Sequence, residues 1–91
     1  MKTKITAEMV AFWMLNEIEK DGVLYQETAV FDIAEKFGEK FTSENERGNA
    51  SIDKTVLAAF RKISENLVVW VRGERMWRKR ENYDEPGRQQ L

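Results

Sequence analysis

Apolar residues recur first at helical spacing and later, toward the C-terminus, in alternation. At about 100° per residue, Val10, Ala11, Met14, Leu15 and Ile18 share one arc of a first helix. Thr6 is placed to cap its start and Asp21-Gly22 to end it. Met9, Phe12 and Trp13 fall outside that arc, near Asn16, Glu19 and Lys20. Val23-Leu24-Tyr25 predicts a short strand. A second helix is expected over residues 26–37, with Ala29, Val30, Phe31, Ile33, Ala34 and Phe37 on one broad face. Residues 38–51 are polar apart from Phe41 and Ala50, and Phe41 is their one large apolar residue. Ser51 is placed to cap a third helix over residues 52–66, whose core stripe is Ile52, Val56, Ala59, Phe60, Ile63 and Leu67. Its outer stripe holds Lys54, Ala58, Arg61, Lys62 and Glu65.

Leu67-Val-Val-Trp-Val71 is strongly β-prone, and Gly73-Glu74 suits a two-residue hairpin loop of type II′, which wants glycine first. That register sets Val71 opposite Met76, Trp70 opposite Trp77 and Val69 opposite Arg78. Val68, Trp70 and Trp77 then share one face. Each Trp can bury roughly 150–250 Å², so the Trp face is expected to close the core, with Arg78 and Arg80 outside. Residues 82–91 show no periodicity and are expected to fray.

The chain has 91 residues, no cysteine and no histidine. One domain is the bound set by that length. Disulfides, thiolate or imidazole metal ligation and Cys or His nucleophile chemistry are excluded. The commonest general base near neutral pH is also missing. Net charge is −1, but its distribution is uneven. Residues 1–66 carry nine Lys/Arg against twelve Asp/Glu, and residues 67–91 carry six against four. Arg72, Arg75, Arg78, Lys79 and Arg80 form a local basic run, opposed only by Glu74. The purely apolar run from Met9 to Leu15 is far shorter than the about 20 residues needed to span a bilayer. A soluble cytoplasmic chain with no membrane role is therefore expected.

The order helix, short strand, helix, helix, hairpin resembles the winged helix-turn-helix family over residues 6–80. The chain also resembles small uncharacterised bacterial proteins of that class, through Gly-Val-Leu-Tyr-Gln-Glu, Phe-Arg-Lys, Trp-Val-Arg-Gly-Glu-Arg-Met-Trp-Arg and Tyr-Asp-Glu-Pro-Gly-Arg. The resemblance implies an α+β fold: a three-helix winged helix-turn-helix with a C-terminal β-hairpin wing. Residues 1–81 would form a single domain and 82–91 a flexible tail. The third helix would take the recognition position. One departure is the segment between helices two and three, since a helix-turn-helix turn takes about 3–4 residues.

Two binding surfaces compete. A DNA-binding regulator would place Arg72, Arg75, Arg78 and Arg80 on the backbone phosphates of double-stranded DNA, where the arginine fork donates two parallel bonds. Lys54, Arg61 and Lys62 would face the groove, although Asp53 and Glu65 leave that stripe only weakly positive. The plain reading of the arginines is a charged guard on a sheet edge. The second surface is a protein contact through Met9, Phe12 and Trp13, which a two-fold homodimer would present to its own copy. Against this stands an intramolecular cover over the same side chains. Glu44, Glu46 and Asp53 lack the spacing of a calcium loop. Neither a catalytic constellation nor a metal site, cofactor or small-molecule substrate is indicated, and a non-enzymatic binding domain is expected.

Overall fold

Local hydrogen bonds satisfy both ends of the first helix and the start of the third. The computed structural model describes residues 4–44, 46–84, 87 and 89–90. Helix α1 spans Ala7–Asp21, with Thr6 accepting a hydrogen bond from the Met9 amide. It ends at Gly22, whose φ of 87° is left-handed and whose amide donates to the Ile18 carbonyl. A side chain there would be strained, so glycine is the natural stop. Strand β1 is Val23–Tyr25 and helix α2 is Gln26–Phe37, both at the bounds the pattern predicts.

The polar stretch after α2 holds more structure than its composition suggests. A 3₁₀ turn, Glu39–Phe41, leads into a small antiparallel hairpin of β2 (Thr42–Glu44) and β3 (Ala50–Ile52). Helix α3 then spans Lys54–Ser64. Its cap is Asp53 rather than Ser51, and Ile52 belongs to the strand. Asp53 accepts from the Thr55 amide at 3.1 Å and the Thr55 hydroxyl at 2.6 Å, while the Ser43 hydroxyl donates to its other oxygen at 2.6 Å. The Ser51 hydroxyl instead donates to the Ser43 carbonyl. A carboxylate with three donors outcompetes a lone hydroxyl for the capping position. The same bonds, that from Ser43 foremost, hold the Asp53 carboxyl down at about 2.

Strands β4 (Val68–Val71) and β5 (Met76–Lys79) pair in the expected register. The loop differs in detail. The Arg75 amide donates to the Arg72 carbonyl, and the left-handed residue is Arg75 (φ 52°) rather than Gly73. A type II′ turn is therefore not formed. Strand β1 pairs antiparallel with the far side of β5, and β6 (Gln89–Gln90) pairs parallel with β4, giving the order β1-β5-β4-β6. The described residues form a mixed α+β fold of three α-helices, one four-stranded sheet and one two-stranded sheet.

The core lies between the helices and the Trp77 face of the larger sheet. Val10, Met14 and Ile18 of α1, Ile33 of α2, Val56 and Phe60 of α3, and Val68 are fully enclosed. Trp77 is 5% exposed and meets the Phe60 ring edge-on at 5.5 Å; Trp70 leans on Trp77 at 4.7 Å and stays half-buried. Phe31 departs from the expected core face and is 64% exposed. At about 100° per residue it sits some 200° from Ile33, on the far side of α2. Leu67, expected on the α3 core stripe, lies past the helix end and is exposed.

Candidate binding surface

The arginines of the hairpin divide into two pairs. Arg72 and Arg75 flank the loop and are exposed. Arg78 and Arg80 are half-buried, and the residues that follow β5 engage both. Arg78 donates to Asp84 through both terminal nitrogens, at 3.0 and 2.6 Å, and to the Lys79 carbonyl at 3.1 Å. Its guanidinium also lies 5.8 Å from the Tyr83 ring centre. The Arg80 guanidinium donates to the Gly87 carbonyl.

The Asp84 side chain is only 2% exposed. Besides the Arg78 fork it accepts from the Glu81 amide at 2.7 Å. The Arg78 bond and then the Glu81 bond hold its carboxyl at about 2. A bidentate guanidinium–carboxylate pair is geometrically the pairing that a phosphate would otherwise make. Further along, the Arg72 amide donates to the Gln90 carbonyl at 2.9 Å as β6 pairs with β4. Beyond Arg80, Asp84 therefore clamps Arg78 and Gln89–Gln90 line the outer edge of β4.

On α3, Lys54, Arg61 and Lys62 are all exposed, as the helix pattern placed them. On α1, Met9 and Phe12 are exposed, Phe12 by 52%. Trp13 parts from them. It packs edge-to-face on Phe37 of α2 at 5.8 Å, at the rim of the core. The three-residue patch is thus reduced to two apolar side chains one turn apart.

A family model of unknown function matches residues 6–79. The chain belongs to DUF6953. No curated protein and no solved structure matches it. The DUF6953 match spans the three helices and the β4–β5 hairpin. Tyr83, Asp84, Gly87 and β6 lie beyond it. Among the described residues, no helix is long and apolar enough to cross a membrane.

Sequence reasoning missed two features. Asp84 as the partner of Arg78 is a contact six residues away with no periodic signature. The groove of about 720 Å³ between the α2 start, the β2–β3 hairpin and the β4–β5 loop was also hidden. Its rim carries the exposed rings of Tyr25 and Phe31, with Glu27, Glu39 and Glu74 against Arg75. The signal available was Phe31 itself, set opposite Ile33 on the helical wheel.

Proposed function

We propose that this chain is a non-enzymatic binding domain of winged helix-turn-helix type that works through protein contacts. α3 takes the recognition position and β4–β5 the wing, with the β2–β3 hairpin inserted where a helix-turn-helix has a short turn. The observation that carries the reading is the Arg78–Asp84 clamp, together with the Arg80–Gly87 bond. Half of the hairpin arginines available to phosphate are engaged by the chain itself. The exposed Met9 and Phe12 supply the contact face, and a second copy is its occupant, since a two-fold axis lets one small apolar patch cover itself. Sedimentation velocity of the parent chain at ~100 μM should show a dimer, and Phe12→Glu should give monomer with unchanged helix content, because Glu is a good helix former. A parent that sediments as monomer at that concentration overturns the homodimer, since the Kd then exceeds ~100 μM, weaker than about 5.5 kcal/mol.

A second reading keeps double-stranded DNA as the partner. It is favoured by the exposure of Lys54, Arg61, Lys62, Arg72 and Arg75. Under it, hairpin contacts come from Arg72 and Arg75 alone, and replacing both with Ala should flatten the salt dependence by about two contacts' worth.

A further inference from the structure

The segment after Arg80 shows what its own seat accepts. It combines two elements: a carboxylate in the Arg78 fork, and an extended strand laid parallel on β4. The strand component is short, pairing Trp70 with Gln89 and Val71 with Gln90. The seat beneath it is well prepared. β4 is the apolar run Val-Val-Trp-Val, and without β6 it would be an edge strand. Such an edge presents a row of backbone donors and acceptors that other chains can pair with. The clamp lies on the face of the sheet away from Trp77, because Arg78 neighbours it in β5 and side chains alternate. Val69, directly opposite Arg78, and Val71, two residues on, share that face and are buried, though they stand outside the main core cluster. The seat also lies within the DUF6953 match, whereas its occupant lies beyond residue 79.

We propose that the outer edge of β4 together with the Arg78 fork is a strand-docking site for an extended peptide of a partner protein that carries a carboxylate, and that Asp84 and Gln89–Gln90 of this chain occupy it at rest. The partner adds a strand to β4 through main-chain hydrogen bonds, and its Asp or Glu replaces Asp84 on Arg78. Tethering gives the resident segment an effective concentration near ~1 mM, so the site is closed to weak competitors until the clamp is loosened. This site is separate from the Met9–Phe12 face, and either can fail without the other.

The test uses the full chain and a synthetic peptide of its last eleven residues, Glu-Asn-Tyr-Asp-Glu-Pro-Gly-Arg-Gln-Gln-Leu. Asp84→Ala loosens the resident clamp. Chemical shifts of the Trp70 amide and the Arg78 side chain, followed during titration, should show the peptide binding Asp84→Ala at least about ten-fold more tightly than the parent. The same peptide with its Asp replaced by Ala should lose most of that binding. Equal affinity for parent and variant, or none for the variant, overturns the proposal. Hydrogen exchange on the unmodified chain gives a reading that does not depend on the variant folding. The Arg72 amide, bonded to Gln90, should exchange through a local opening, at least about ten-fold faster than the Phe60 amide inside α3. Exchange of both amides only by global unfolding would mean the segment never leaves its seat, and also overturns the proposal.

Discussion

The two ends of the β4–β5 hairpin both carry arginines and hold them differently. At the base, Trp77 is wedged against Phe60 and Trp70, and Arg78 is gripped by a nearly buried carboxylate. At the tip, Arg72, Gly73, Glu74 and Arg75 are all exposed, and Arg75 holds a left-handed conformation. A basic run that is continuous in sequence is therefore two populations in space. The lesson is that local charge density does not measure available charge. What decides availability is whether a carboxylate from elsewhere has reached the guanidinium first.

The largest expected effect belongs to the base. Trp77→Ala should cost about 3–5 kcal/mol. A domain of this size holds about 5–10 kcal/mol, so the variant should melt close to the working temperature. Calorimetry checks this, and a melt within a few degrees of the parent would show that the base is no better packed than the tip.

Next comes the cap that joins β2–β3 to α3. Asp53→Ala removes bonds from Thr55 and Ser43 and should cost about 0.5–2 kcal/mol in urea unfolding. Acid probes Asp53 and the clamp together. The carboxyls of Asp53 and Asp84 both lie at about 2, below the ordinary 3.8. A depressed folded-state pKa gives stability that is full above the unfolded value and is lost as pH falls toward the folded one. Their contribution should hold from neutral pH down to about 5 and drain between about 4 and 2. Asp84→Asn should remove part of that acid loss and leave the chain folded at neutral pH. Identical acid profiles for parent and Asp84→Asn would remove the clamp from the account.

The smallest effect should come from the tip. Arg75→Gly relieves a left-handed side-chain residue, worth about 1–2 kcal/mol, at the expense of greater chain freedom, about 0.5–1 kcal/mol. A net gain between about 0 and 1.5 kcal/mol is expected as a higher urea midpoint. A destabilised Arg75→Gly would show that the side chain does more at the tip than its exposure suggests.

How much was legible in the sequence follows the same division. α1, β1, α2 and the β4–β5 register carry apolar periodicity, and periodicity was enough to place them. The β2–β3 hairpin carries almost none. It is held by the hydroxyls of Ser43 and Ser51 and the carboxylate of Asp53, whose partners are set by tertiary proximity. The Arg78–Asp84 clamp was hidden for the same reason, since ion pairing across a turn leaves no repeat to read. The helical pattern leaves Trp13 outside the α1 arc, open to either an intramolecular cover or a partner, because Phe37, on which it packs, lies on another helix.

We propose that this domain works through protein contacts, because two of its hairpin arginines are already engaged. A titration of the full chain with duplex DNA at ~50 mM salt tests it most directly, since non-specific affinity is strongest at low salt. The account predicts no saturable binding. Saturable binding with a salt slope near −3.6, the value for about four phosphate contacts, would contradict it, the more so if Arg78→Ala and Arg80→Ala each reduced that slope by about 0.9.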